Sequence, residues 1–215
     1  MQPADPYKIL IADDHAVVRA GVIKAISLAF PDALVSEAGN AAEITRQFLD
    51  SVPDLVLLDI SMPGRGGIDI LTDIMRDYPC TKVIIFSMYP EDQFAIRAIK
   101  AGASAYVTKD TKLTELVEII RKILLGQRHI SPAVADLLFN EIHQKGTKPS
   151  HEQLSDREYE VLRMIASGKA VSEIAAELSL SVKTISIYRA NILRKMNLHN
   201  NAEIMHYAFK HSLVG

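Results

Sequence analysis

The chain has few of the residues that mark secreted, disulfide-linked or membrane proteins. Only one of its 215 residues is cysteine, Cys80, so the sequence excludes an internal disulfide and any zinc site built from several cysteines. No apolar run approaches the ~20 residues that a membrane-spanning helix needs, and residues 1–6 lack the basic segment and apolar stretch of a signal peptide. We therefore expect a cytoplasmic protein without a membrane partner.

The net charge is small, and the placement of charged residues and histidines matters more than their number. The seven histidines show no metal-ligand spacing near an acid cluster, so no transition-metal site is predicted. The net charge is −2, which argues against a wholly basic nucleic-acid-binding surface. However, the 25 residues from Leu178 to Ala202 contain no aspartate or glutamate. The sequence therefore predicts one basic face in the C-terminal part.

The first 126 residues alternate apolar runs with helical stretches. The runs 8–12 and 54–58 are rich in branched apolar residues, typical of strands buried on both faces of a parallel sheet, and similar runs cover 82–86 and 105–107. Helices are predicted near 15–30, 41–51, 67–78, 91–101 and 112–125. Five strand-helix units predict an α/β domain with a parallel sheet.

Chemically active side chains follow four of the predicted strands. Asp13 and Asp14 end the first run, Asp59 ends the run at 54–58, and Ser87 and Lys109 follow two more. Ligands of open α/β sheets bind at the carboxyl ends of strands, so the acids should share one crevice. Carboxylates and water are the ligands that Mg²⁺ prefers. The alternative for Asp14 alone is that it caps the following helix.

This ordered set resembles the receiver domains of two-component response regulators, which implies a flavodoxin-like α/β fold with a five-stranded parallel sheet. The resemblance implies that Asp59 accepts a phosphoryl group from a sensor histidine kinase. Its implied Mg²⁺ ligands are Asp13, Asp14, Asp59 and the backbone carbonyl of Ser61.

The same resemblance assigns the remaining receiver residues. Lys109 would pair with the phosphoryl oxygens, Ser87 would turn its hydroxyl onto the phosphoryl group, and Tyr106 would be the aromatic switch residue. One departure is Asp110, which stands where many receivers carry a proline after a cis peptide bond. A cis bond is not expected there, because a non-proline cis bond costs about 2.5–4 kcal/mol.

The C-terminal part is predicted to form a small all-α domain. A helix is predicted from 131 to about 143, followed by a polar linker, so the predicted domains are 1–126, a linker with one helix at 127–150, and 151–215. Ser155 and Glu158 have capping-box spacing at the start of a helix that ends near Gly168. Further helices are predicted at 173–178, 182–196 and 202–209.

The helix predicted at 182–196, the third helix of the C-terminal domain, has an outer face with small side chains. Ile185, Ile192 and Met196 recur at helical spacing and should face the core, which leaves the opposite face to Lys183, Ser186, Ile187, Ala190 and Arg194. Such a face suits the major groove, where Ile187 could meet a thymine methyl group, the alternative being an incidental exposed residue.

The segments from Leu154 to Glu158 and from Val182 to Ile185, with Gly168 and 173–175, resemble the LuxR-type helix-turn-helix. With the receiver, they give the arrangement of the NarL/FixJ subfamily. This resemblance implies that the third helix reads promoter double-stranded DNA and that the fourth packs two copies into a homodimer. The candidate DNA contacts are Lys183, Thr184, Ser186, Ile187, Tyr188, Arg189 and Lys195, although any one charge among them could simply be solvated.

The predicted function is a phosphorylation-controlled transcription regulator, with RNA polymerase as a further candidate partner. It would be a phosphoryl acceptor with at most weak self-dephosphorylation, not an enzyme. An aspartyl-phosphate hydrolase is disfavoured because such enzymes commonly need a second acid two residues after the nucleophile, where this chain has Ser61. The remaining alternative is a receiver-controlled module that binds protein or RNA without specific DNA readout.

Overall fold

The computed structural model describes residues 6–62, 65–143, 150–211 and 213–214. Contacts divide the chain into two compact units, one up to Gln144 and the other from Lys145 onward. Within the described ranges, no helix has both the length and the apolar character needed to cross a membrane. The predicted polar linker at 144–150 lies outside the described residues except for Ser150, which begins a short 3-10 helix.

The first unit is built on a five-stranded parallel sheet in the order β2-β1-β3-β4-β5. The strands are β1 (Lys8–Ala12), β2 (Leu34–Ala38), β3 (Leu55–Leu58), β4 (Lys82–Ser87) and β5 (Ala105–Thr108). All four residues of β3 are buried, as a central strand covered on both faces requires. Ala12 pairs with Leu58, so the ends of β1 and β3 lie side by side.

Helices cover the sheet and end within one residue of the predicted limits. They are α1 (Ala16–Ala29), α2 (Ala41–Asp50), α3 (Gly67–Asp77), α4 (Glu91–Lys100), α5 (Leu113–Leu124) and α6 (Pro132–His143). The core joins Ile26 of α1 and Ile120 of α5 to strand residues such as Ile9 and Ile84. Since α6 packs against α4 in the first unit, the stretch assigned above to a linker contributes a packed helix.

The second unit contains a short 3-10 helix (Ser150–Gln153) and four α-helices: α7 (Asp156–Ala166), α8 (Val171–Glu177), α9 (Val182–Met196) and α10 (Asn201–Lys210). The predicted capping box forms, because Ser155 Oγ accepts the Glu158 N–H while Glu158 accepts the Ser155 N–H. Ile185 and Ile192 of α9 are fully buried. This unit therefore has its own helix caps and its own apolar core.

Candidate functional site

Two buried carboxylates meet at the carboxyl end of the sheet. Asp13 follows β1 and Asp59 follows β3, and the Asp59 N–H donates to the Ala12 carbonyl at 2.8 Å, which continues the pairing of these strands. Asp13 is 2% exposed and Asp59 is 1% exposed. The sheet thus holds two acids next to each other with almost no contact with water, which favours a cation between them.

Lys109 provides that cation in this structure. It follows β5, and its Nζ lies 2.7 Å from Asp13 Oδ2 and 2.9 Å from Asp59 Oδ2. Burial raises the pKa of Asp59, and the Lys109 ammonium offsets only part of that effect. Burial acts against the charged form of Lys109, but the two carboxylates outweigh it and raise the pKa of the lysine. The ammonium is therefore held as a charged bridge between two strand ends.

Asp14 and His15 complete a group of potential metal ligands. One ligand atom from each of Asp13, Asp14, His15 and Asp59 lies within 4.8 Å of the others. Helix α1 has His15 as its N-cap, so Asp14 does not cap it, and the alternative interpretation of Asp14 is wrong. The three carboxylates are hard oxygen donors and fit Mg²⁺.

His15 is a member of this group that the sequence analysis missed. No metal-ligand spacing of the histidines was found near the acids in the sequence, but His15 Nδ1 is 2.7 Å from Asp14 Oδ1. The available signal was its position directly after the acidic pair.

The loop after Asp59 is held against the carboxylate. The Ser61 N–H donates to Asp59 Oδ1 at 3.2 Å, which places Ser61 beside the acid. At the start of α3, the Gly67 N–H donates to the Ile60 carbonyl at 3.1 Å. A Cβ at Gly67 would lie 2.4 Å from the Asp59 carbonyl oxygen, so this close approach of backbone to backbone requires glycine. The role of the Ser61 carbonyl as a metal ligand stays a prediction.

Ser87 and Tyr106 are buried and are connected through the same loop residue. Ser87 Oγ accepts the Tyr89 N–H at 3.2 Å, and the Tyr106 hydroxyl donates to the Tyr89 carbonyl at 2.9 Å. Burial raises the pKa of Tyr106, which keeps its phenol neutral. A change at Ser87 can therefore reach Tyr106 through the backbone of Tyr89. The peptide bond between Lys109 and Asp110 is trans, as expected.

The outer face of α9 is exposed as the sequence analysis predicted. Lys183, Ser186, Ile187, Ala190 and Arg194 are all exposed, with Ile187 53% exposed. The Ser186 hydroxyl donates to the Val182 carbonyl within the helix at 2.9 Å, so it already has an acceptor. This face therefore presents the apolar side chains of Ile187 and Ala190 and the two cationic side chains of Lys183 and Arg194.

Three of the other four predicted DNA contacts on α9 have partners inside the second unit. Arg189 Nε donates to Asn201 Oδ1 at 2.6 Å. Lys195 Nζ lies 2.6 Å from Oε2 of Glu158, a carboxylate that is 4% exposed. The Thr184 hydroxyl lies 2.8 Å from Ser181 Oγ at the helix N-cap, and Tyr188 is half-buried. Arg189, Lys195 and Thr184 therefore make structural contacts, and the DNA contacts of all four residues stay predictions.

Comparisons with known proteins cover both units. The response regulator receiver domain matches residues 9–121, and the luxR family of bacterial regulatory proteins matches residues 152–208. Response regulator GacA from Pseudomonas syringae pv. syringae is 34% identical over 96% of this chain and 97% of its own. Response regulator UvrY from Escherichia coli is 32% identical over 95% of this chain and 94% of its own.

Solved structures are also similar to this chain over most of its length. One is RcsB from Salmonella enterica serovar Typhimurium, bound to promoter rprA in the presence of phosphomimetic BeF3⁻. It is 26% identical to this chain, with a TM-score of 0.56 over 94% of this chain and 98% of its own.

Proposed function

The chain belongs to the two-component response regulators that join a receiver domain to a LuxR-type DNA-binding domain, and we propose that phosphorylation of Asp59 controls its binding to promoter DNA. Proteins of this family act as regulators rather than as conventional enzymes. The observation that carries the proposal is the buried bridge from Lys109 to Asp13 and Asp59, because it joins an acceptor carboxylate to a cation at one strand-end crevice.

The phosphoryl step follows from the chemistry of these groups. A carboxylate oxygen of Asp59 attacks the phosphorus of a phosphohistidine on a sensor kinase, the P–N bond breaks, and the leaving imidazole takes a proton. Lys109 Nζ already lies 2.9 Å from the acceptor carboxylate, so its ammonium can pair with the negatively charged phosphoryl oxygens once Asp59 is phosphorylated. Asp13, Asp14, Asp59 and the Ser61 carbonyl would hold Mg²⁺, which supplies further neutralisation of that charge.

The proposed switch lies at the ends of β4 and β5. Once Asp59 is phosphorylated, the Ser87 hydroxyl turns from the Tyr89 N–H to donate to a phosphoryl oxygen. This movement releases the Tyr89 N–H, and Tyr106, whose hydroxyl donates to the carbonyl of the same residue, moves with Tyr89. Hydrolysis of the acyl phosphate by water would return the site to its first state, at most slowly.

The proposed output is DNA binding by α9 in a homodimer. The exposed N-terminal half of α9 would enter the major groove, with Lys183 on a phosphate and Ile187 against a thymine methyl group. Helix α10 supports a dimer because Met205 and Phe209, one turn apart, are 39% and 77% exposed. RcsB, a structural neighbour, is bound to a promoter, which supports the same ligand here. The protein would act in the cytoplasm, where RNA polymerase at the promoter is a further partner.

Phosphate incorporation and DNA binding, measured on the same samples, test this function. The wild-type chain should take up phosphate from acetyl phosphate with Mg²⁺ and then bind selected duplex DNA more tightly, with an affinity that falls steeply with salt. Asp59→Asn should take up none, because an amide is not a nucleophile. Asp50→Asn, at the exposed end of α2, is the matched control and should behave as wild type. Stoichiometric incorporation into the Asp59→Asn chain refutes the site, and a preference for RNA over duplex DNA refutes the output.

A further inference from the structure

The side chain of His15 lies against the acid pair, in a position set by the backbone. The His15 N–H donates to Asp13 Oδ1 at 2.8 Å, which fixes the residue at the start of α1. Its Nδ1 then lies 2.7 Å from Asp14 Oδ1 and 3.3 Å from Asp13 Oδ1. An imidazole nitrogen is thus placed between two carboxylates that fit a divalent cation.

These separations match the spacing of neighbouring ligands around one metal ion. For metal-ligand bonds of about 2.1 Å, adjacent ligand atoms of an octahedron are about 3 Å apart and opposite ones about 4.2 Å apart. The distances of 2.7 and 3.3 Å bracket the first value. The four ligand atoms all lie within 4.8 Å of one another, close to the second value. One ion can therefore reach the nitrogen together with the carboxylates after a small contraction of the group.

We propose that His15 supplies a nitrogen ligand to the divalent cation held by Asp13, Asp14 and Asp59, and that this receiver therefore takes up imidazole-preferring ions such as Zn²⁺ and Ni²⁺. The inference rests on the proposed function, because it uses the same acidic site. Nitrogen ligands favour these ions over Mg²⁺, which prefers oxygen and keeps its waters. For coordination through Nδ1, the neutral ring carries its proton on Nε2.

Electron spin echo modulation of the full chain loaded with Mn²⁺ tests the nitrogen ligand directly. The spectrum should contain the nitrogen coupling of a directly bound imidazole, and labelling the histidines with ¹⁵N should change its frequencies. His15→Ala should lose this coupling while Mn²⁺ remains bound. The variant should fold, because the His15 side chain makes no cap hydrogen bond to α1. His206→Ala, an exposed histidine on α10, is the matched control and should keep the coupling.

Calorimetric titration separates a ligand from a residue that only orients Asp14. If His15 is a ligand, His15→Ala should weaken Zn²⁺ and Ni²⁺ binding by about tenfold or more and Mg²⁺ binding by less than about threefold. A uniform loss for all three ions, or bound Mn²⁺ without nitrogen coupling, overturns the inference and leaves the acidic site in place. Undiminished Mn²⁺ binding by Asp13→Asn would instead overturn the metal site of the proposed function.

Discussion

Replacing Lys109 by alanine tests the buried charge bridge. The lysine side chain is 4% exposed and lies between Asp13 and Asp59, whose side chains are 3% and 1% exposed. Without it, two carboxylates remain buried beside each other with no cation. Removing one partner of a buried ion pair costs about 3–5 kcal/mol. Since the neighbouring Asp14 side chain is 28% exposed and admits water to one edge, we expect the lower end, about 3 kcal/mol, in the absence of divalent metal.

The loss should depend on pH and on Mg²⁺. The pKa of Asp59 is already raised by burial, and removing the ammonium raises it further. The folded variant then binds a proton that the unfolded chain releases, so its stability should rise as pH falls from neutrality towards about 4. Mg²⁺ should recover most of the lost stability at neutral pH, because it supplies a cation to the folded state only.

Urea unfolding of the full chain, followed by hydrogen exchange and mass spectrometry of peptides over β1 and β3, reports on the first unit alone. A loss of 3 kcal/mol should lower the midpoint by roughly 1–3 M urea. Lys109→Arg, which keeps the charge, should lose less, and Lys109→Ala combined with Asp59→Asn should regain stability because only one buried carboxylate remains. If Lys109→Ala loses less than about 1 kcal/mol without metal, the bridge does not stabilise the fold as argued.

Three further predictions concern the switch, the acceptor loop and the DNA-binding face. Ser87→Ala should accept phosphate but gain little DNA affinity in a mobility-shift assay, and full activation would leave its hydroxyl as a strand-end cap only. Gly67→Ala should destabilise the first unit by several kcal/mol in urea, whereas Gly126→Ala, strained by a φ of +84° but open to space, should cost only about 1–2 kcal/mol; equal losses would refute the close-approach argument. Lys183→Ala should weaken binding to all duplexes and reduce the salt slope by roughly one unit, whereas Ile187→Ala should change preference at one base step by roughly 1–3 kcal/mol in selection from random DNA. An unchanged preference for the Ile187 variant would remove it from the base-reading set.

Much of the receiver site could be predicted because its residues occupy the ends of recognisable apolar strands. Asp13 and Asp59 are brought together by the pairing of Ala12 with Leu58, a consequence of two buried runs lying side by side in a parallel sheet. Helix α9 agreed with its predicted limits, since Ser181 caps one end and Ile185 and Ile192 give an unambiguous buried stripe.

Contacts between side chains distant in sequence, or set by a single rotamer, could not be predicted in the same way. His15 faces the acids because its N–H is bound to Asp13, a local arrangement that spacing alone does not specify. Lys195 and Glu158 are 37 residues apart and meet only when α7 and α9 pack. The inclusion of α6 in the first unit likewise depends on its packing against α4.

The ion pair between Lys195 and Glu158 restricts how the DNA-binding domain can evolve. Glu158 is also the acid of the α7 capping box, so one carboxylate both caps the start of α7 and anchors the last turn of α9. If Lys195 moves from Glu158 to a DNA phosphate, the nearly buried Glu158 carboxylate loses its cation. The free-energy cost of that loss reduces the affinity gained from the phosphate contact. Substitutions at position 195 that alter operator affinity will therefore also alter the folding stability of the domain, so new operator preferences should arise more readily at the exposed positions 183 and 187.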